Sequence, residues 1–443
     1  MLRNKFHYSR NLKLTAFGGT GSVTKNMFVY EFGNDILVID CGVGFPNESC
    51  KENDELIIPD FSYLLKNRDK IRGLVVTHAH LDHYGAVPEF LAKINVPVYS
   101  SRLTQEFIKR KAKESRIKPK SIDFRLLRDQ DRNIRIGSFE LTPFHVNHSV
   151  PQTLGFFVKT PIGNFFHVSD YKLDWTPVDE EPFDIQKVSS LAAGQKPIFL
   201  ASDCLGAAKP GYTRSEADIQ EVMENLMIRN KGLVLMTTIS SNISRLKQAV
   251  QAAANVGRKT AFLGRSLEQS YETAKELGYF STLKQFVIPA KKIKSYPYSK
   301  LNLVAAGSYA QSDSTLVRIS QNKHNLVKLK KDDLVIFCAD PGPPGVIVNV
   351  NNMVDNLTKL GAIVYYYEIQ DNLHVSGHGA AEHIKMLFAL IKPKHLIPIG
   401  GDFRHMRAYQ LLAEKMGYTE DKVIFLKEGK TVEFNSKSGV VLK

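Results

Sequence analysis

The chain has 443 residues, of which 43% are apolar and 23% charged, enough for a large core in two or more domains and too apolar for general disorder. Lysine and arginine number 59 against 45 acidic residues, a net charge of +14, which suits a polyanionic partner and equally a solubilising surface. Cys41, Cys50, Cys204 and Cys338 form no CxxC pair, no apolar run reaches ~18 residues and the N-terminus lacks a signal-peptide core, which argues against a zinc ribbon, a disulfide framework and a membrane span, and a soluble cytoplasmic protein is expected.

In chain order, KLTAFGG, NMFVYEF, DILVIDCG, GLVVTHAH, VPVYSS, FELTPFHV, TLGFFVKT and NFFHVSD each have the length and the β-branched or aromatic content of a strand. GAVPEFLAKI and SRLTQEFIKRKAKESR between them carry helical patterns. No GxGxxG follows the first strand, which argues against a dinucleotide-binding fold. From PGYT (Pro210 to Thr213) the rhythm changes to regular strand–helix alternation: SEADIQEVMENLMIRN, KGLVLMTTI, SRLKQAVQAAANVG, KTAFLG, LEQSYETAKELG, LNLVAAG and DLVIFCAD. That alternation predicts a parallel sheet covered by helices. Near Gly361 it shifts again, through HVSGHG, a helix in AAEHIKMLFALIK, HLIPIGG, a further helix and two final strands. There is no internal repeat.

Two basic stretches stand out. IKRKAKESRIKPK (Ile108 to Lys120) holds seven basic residues and one acidic residue, and KKIKSYPYSK (Lys291 to Lys300) interleaves lysines with two tyrosines. Both fit nucleic-acid contact by charge and stacking, and both fit a solvated helix face or loop.

The strongest chemical signal is THAHLDHYGA (Thr77 to Ala86), where His78, His80, Asp82 and His83 fall within six positions after a predicted strand. Imidazole and carboxylate ligands suit zinc or manganese. His78 and His80, two apart on extended chain, can project the same way, while Asp82 and His83 lie past the turn and can face a second ion. A lone histidine is more often a core or surface residue; this density is different.

The HxHxDH pattern resembles the metallo-β-lactamase superfamily. FGGTGSVTKNMFVYE, IPDFSYLL, KIRGLVVTHAHLDH, VPVYSSRLT, VNHSVP and PGYT-SE narrow the likeness to the ribonuclease J family of beta-CASP nucleases, across Leu14 to about Phe434. The resemblance implies an αββα metallo-β-lactamase sandwich with an inserted α/β beta-CASP domain, a parallel sheet flanked by helices. Residues 1–212 and 362–443 are expected to form the first domain and 213–361 the insert. It also implies that His78, His80 and His148 hold one ion, that Asp82 and His83 begin the ligand set of a second, and that Asp170 bridges the two. Asp40 matches a supporting aspartate.

By the same likeness Asp82, Asp203 and His378 are the expected catalytic residues, a carboxylate orienting an imidazole that acts as general acid. Ser240, Ser241, Asn242, His374 and Ser376 are expected to grip RNA phosphates, the first three at a helix N-terminus that favours anions. LGRS (Leu263 to Ser266) and GSYAQSD (Gly307 to Asp313) are similar junctions, the latter departing from the family's acidic loop. The implied cofactor is Zn2+, one or two ions, with Mn2+ or Mg2+ as alternatives. The implied partner is single-stranded RNA, with no membrane; a homodimer or association with other RNA-decay proteins stays open. The implied activity is metal-dependent RNA hydrolysis, both 5′-to-3′ exonucleolytic and endonucleolytic, in RNA processing and decay.

Two departures qualify this. Gly400 in IGGDFR (Ile399 to Arg404) stands where the family has a histidine ligand, so weaker filling of the second metal position is expected, with His405 a poor substitute from its helix. The chain also ends soon after VIFLKEGKTVEFNSKSGVVLK, like a short form without the C-terminal domain. The alternative reading is a catalytically weakened RNA-binding paralogue that serves as a partner subunit. A thioester or lactam hydrolase fits less well, because of the insert and the motifs at Asp203 and His378.

Overall fold

Side chains that alternate along each strand divide the core between two faces. In Met27–Phe32, Phe28 and Tyr30 turn to one cluster and Met27 and Val29 to another. The computed structural model describes residues 11–45, 56–118, 121–194, 197–339, 344–436 and 440–442. Cys50, Pro119 and Lys120 lie outside the described residues.

An eight-stranded sheet runs in the order Val440–Leu442, Thr431–Phe434, Leu12–Gly18, Met27–Phe32, Asp35–Ile39, Ile71–Val75, Val98–Ser100 and Phe124–Leu126. A six-stranded sheet runs His395–Ile399, Phe199–Asp203, Gly163–Val168, Leu154–Thr160, Phe139–His145 and Ile134–Ile136. Leu14, Phe28, Tyr30 and Leu37 of the first meet Phe156, Phe165, Phe199 and Ile397 of the second in one buried layer. Helices Val87–Leu91 and Arg102–Glu114 cover the outside of the larger sheet, and Ile185–Ala192, Ala381–Ile391 and Phe403–Lys415 the outside of the smaller. This is the expected αββα sandwich.

The insert is a five-stranded sheet in the order Lys259–Leu263, Leu301–Ala305, Val234–Thr237, Leu334–Phe337 and Ile363–Tyr365, parallel throughout. Val234 and Met236 face helices Asp218–Arg229, Ile243–Asn255 and Arg265–Glu276, while Leu235 faces Thr315–Ser320 and Pro344–Lys359. Ile363 pairs with Leu334 and carries this sheet to Tyr365.

The return from the insert fixes the site. His395–Ile399 lies parallel to Phe199–Asp203, with Asp203 opposite Ile399, so Asp203 and Gly400 end adjacent strands side by side. Thr431–Phe434 then joins the edge of Leu12–Gly18. His78, His148 and Asp170 likewise follow the ends of Ile71–Val75, Phe139–His145 and Gly163–Val168.

The basic stretches are largely occupied. In helix Arg102–Glu114, Phe107, Ile108 and Ala112 are buried, Lys109 pairs with Glu106 and Arg110 donates to Gln269 O at 2.6 Å. Tyr296 and Tyr298 pack against the core of the insert, with Lys330 over the Tyr298 ring at 4.7 Å. These tyrosines are therefore not a free stacking platform.

Candidate metal centre

The HxHxDH stretch leaves its strand extended and turns at His80 into a short helix, Leu81–Tyr84. Asp40 holds this turn from beneath. It is fully buried with φ of 62°, a left-handed conformation in which aspartate is enriched. Its Oδ1 accepts from Thr77 N at 2.8 Å, and its Oδ2 from Thr77 Oγ1 at 2.9 Å and His83 Nδ1 at 2.8 Å.

Each imidazole spends one nitrogen on its surroundings and turns the other inward, the arrangement that fixes a ligand's tautomer. His78 Nδ1 bonds Thr77 Oγ1 at 2.9 Å, His148 Nδ1–H donates to Gly377 O at 2.8 Å, and His80 Nε2 lies 3.2 Å from the Ser149 hydroxyl. The inner nitrogens converge. His78 Nε2 is 3.1 Å from His80 Nδ1, which is 3.0 Å from His148 Nε2. Asp170 Oδ2 is 3.7 Å from His78 Nε2 and 3.5 Å from His148 Nε2. Tetrahedral donors about 2.0–2.1 Å from one ion are spaced about 3.3 Å apart, so this set fits a divalent metal. Gly377 permits the approach: a Cβ there would sit 2.6 Å from His148 Cε1.

The electrostatics agree. Burial, then the neighbouring imidazoles, push His78 and His80 well below the ordinary histidine value, and burial takes His148 down to about 4. These rings are neutral at pH 7 with lone pairs to give, as metal binding requires. Burial works to raise Asp170, but His83 and His378 outweigh it and hold the carboxyl well below its usual range.

Among the described residues, two groups of His, Cys, Asp or Glu bring their ligand atoms all within 4.8 Å of one another. One is His78, His80, His148 and Asp170; the other is Asp170, Asp203 and His378, sharing Asp170 with the first. The expected second set of Asp82, His83 and Asp170 is looser. His83 Nε2 lies 3.4 Å from Asp170 Oδ1 and 3.6 Å from Asp82 Oδ2, but the Asn26 amide already lies against it at 3.1 Å. Asn26 also donates to Val23 O and Asp82 O. A cation beside His83 requires that amide to yield, and nothing in TKNMF marks Asn26 for this role.

His378 Nδ1–H donates to Asp203 Oδ2 at 2.7 Å. Burial disfavours charge on this ring, yet Asp203 and Asp170 together push it up to about 9. Ser376 Oγ accepts from His378 N at 3.1 Å and so braces the loop, in which His374 also lies.

The chain matches the "Ribonuclease J, beta-CASP domain" model over residues 231–357, the "Metallo-beta-lactamase superfamily" model over 21–170 and the "Zn-dependent metallo-hydrolase RNA specificity domain" model over 364–424. It is 31% identical to "Ribonuclease J2" of Bacillus subtilis over 430 residues, 97% of this chain and 76% of that protein. The chain belongs to the ribonuclease J family. It is also 36% identical to "Ribonuclease J" of Helicobacter pylori over 434 residues, 96% of this chain, and the match spans 62% of that relative's length. A crystal structure of a protein of unknown function from Enterococcus faecalis superposes with a TM-score of 0.67 at 15% identity, covering 96% of this chain and all of that one, a likeness of fold.

Against the ribonuclease J pattern, Gly400 has φ of 70°, and a Cβ built on it would lie 3.5 Å from Asp203 Oδ1 and 3.9 Å from Asp170 Oδ1. A side chain at this position would enter the second group. His405 does not replace it: its Nδ1 accepts from Asp402 N at 3.2 Å in a capping box, and Arg404 Nε lies 3.3 Å from its other nitrogen. Ser240 and Ser241 are half-buried ahead of helix Ile243–Asn255. Asn242 is buried and its Oδ1 caps Arg245 N at 2.9 Å, so its side chain shapes the turn and is not free for phosphate. Arg245 reaches on to Leu373 O at 3.4 Å, tying this helix start to the loop of His374 and Ser376.

Proposed function

We propose that the chain is a metal-dependent ribonuclease that hydrolyses phosphodiester bonds of single-stranded RNA. The observation that carries this is the shared carboxylate: Asp170 belongs both to the histidine group fit for a divalent metal and to the Asp203–His378 group beside it. When bound, a divalent cation supplies Lewis acidity that makes water a better nucleophile and neutralises charge on the scissile phosphate. His78, His80, His148 and Asp170 would hold it, and Asp82 with His83 would flank it; Zn2+ suits the nitrogen-rich set, with Mn2+ or Mg2+ as alternatives. His378, oriented by Asp203, would give its proton to the departing 3′ oxygen. Ser240, Ser241, His374 and Ser376 would line the RNA path, Asn242 supporting the first two.

The names of the family models and relatives support RNA as the substrate, and cleavage in both 5′-to-3′ exonucleolytic and endonucleolytic modes is carried over from the family. Buried free thiols at Cys41, Cys204 and Cys338 support a reducing, cytoplasmic setting. Among the described residues, no helix is long and apolar enough to cross a membrane.

Gly400 favours a second reading, an RNA-binding subunit with weakened catalysis. Incubating metal-loaded protein with labelled 5′-monophosphorylated RNA separates the two. Cleavage that Asp82→Ala and His378→Ala abolish supports the hydrolase; no cleavage at full metal loading, with RNA binding intact, supports the binding subunit.

A further inference from the structure

The chain has a single tryptophan, and it stands in solvent. Trp175 is 57% exposed and Tyr212, just ahead of the insert, 62%. They flank a recess of about 330 Å³, lined also by Thr176, Thr213, Ser215 and His383, a volume at the small end of ligand sites, which begin near ~300 Å³. The inner wall is His383, 1% exposed, its ring edge-on to Tyr212 at 5.4 Å and its Nδ1 without a hydrogen-bond partner. Exposed aromatic side chains rimmed by polar groups mark a contact site, since both rings gain by being covered.

The recess is preformed. Asp174 ties its two loops together, accepting from Glu216 N at 2.9 Å and Thr176 N at 3.1 Å and pairing with Lys172 at 3.0 Å. Thr176 Oγ1 donates to Ser215 Oγ at 2.9 Å, which in turn donates to Thr176 O at 2.8 Å. It also adjoins the reacting groups, for Thr213 Oγ1 donates to the backbone carbonyl of His378 at 2.7 Å. Lys209 and Arg214 are exposed on the same loop as Tyr212.

We propose that this recess holds a nucleobase of single-stranded RNA, stacked on Trp175 and Tyr212 with its phosphates beside Lys209 and Arg214. The proposal rests on the ribonuclease reading and adds a base-binding position outside the metal centre. Stacking on aromatic rings gives affinity with little sequence preference and needs an unpaired base. A peptide suits the recess less, because hydroxyls, the paired Asp174 carboxylate and a deep imidazole line it between two exposed rings, which fits a flat ring with polar edges.

Because Trp175 is the sole indole, its emission reports on this recess alone. The intact protein in EDTA is titrated with a 2′-O-methyl oligoribonucleotide, with anisotropy of a labelled copy measuring total binding. Saturable quenching is expected, with Trp175→Ala and Tyr212→Ala each weakening binding about ten-fold and Trp175→Phe close to unchanged. Emission that does not move while anisotropy reports saturation overturns the proposal, leaves the ribonuclease reading intact and points to a protein as the occupant. Absence of any binding by anisotropy also overturns the proposal, and the ribonuclease reading then rests on the cleavage assay with metal-loaded protein.

Discussion

His378 Nδ1 and Asp203 Oδ2 lie 2.7 Å apart although 175 residues separate them in sequence. The chain leaves the sandwich after Asp203, builds the whole insert and comes back with the histidine. The two groups meet only when both crossings are in place. Asp203→Asn removes the charge that orients and protonates the ring, so RNA cleavage should fall about 10²-fold or more. RNA affinity should stay within a few-fold, and kinetics with parallel binding measurements check this.

The histidine group should behave as a binding site whether or not it turns over substrate. Divalent metal at about 100 times its dissociation constant stabilises the native chain by about 2.7 kcal/mol. A melting curve should therefore move up by several degrees on adding Zn2+ or Mn2+ to stripped protein. His148→Ala should abolish most of that shift.

Gly400→His should raise metal content. The new side chain starts 3.5 Å from Asp203 Oδ1, and although a left-handed backbone costs a non-glycine residue roughly 1–3 kcal/mol, histidine is among the types that tolerate it. Elemental analysis should show the increase relative to the wild type, with cleavage less dependent on added Mn2+.

Among the described residues Arg245 is the largest fully buried side chain, and it joins the insert to both crossings. Its Nη2 lies 2.6 Å from Glu216, and Nη1 donates to Cys338 O at 2.9 Å and to Leu373 O at 3.4 Å. Arg245→Met strands a buried carboxylate and should cost about 3–5 kcal/mol in urea denaturation. Replacing Glu216 as well, with leucine, should recover part of the loss.

His383 supplies a test in pH. Burial first, then Lys172, push its imidazole down to about 4, with Asp174 acting the other way and Tyr212 edge-on. The unfolded chain, with an ordinary value near 6.5, binds that proton more readily. The stability from this group is complete above about pH 6.5 and is lost as pH falls toward 4. His383→Gln should flatten the stability–pH curve across that interval relative to the wild type.

How far the sequence carried depended on locality. HxHxDH was legible because four ligands share one turn, and the long alternating strands were legible because their periods are strong. Phe124–Leu126 and Ile134–Ile136, at three residues each, are too short for an alternating pattern to show. Helix Pro344–Lys359 carries VIVNV (Val346 to Val350) in its first half, whose β-branched residues hide it. The contact of Asn26 with His83, the capping role of Asn242 and the recess between Trp175 and Tyr212 arise from loops brought together by folding. No spacing encodes them.

The most direct test of the central claim is a metal titration of single-turnover cleavage of labelled 5′-monophosphorylated RNA, run on the wild type and on Asp170→Asn. Cleavage should rise with bound metal in the wild type, while Asp170→Asn loses metal affinity and cleavage together. Equal cleavage by the two proteins, or cleavage that persists after metal is stripped, would contradict it.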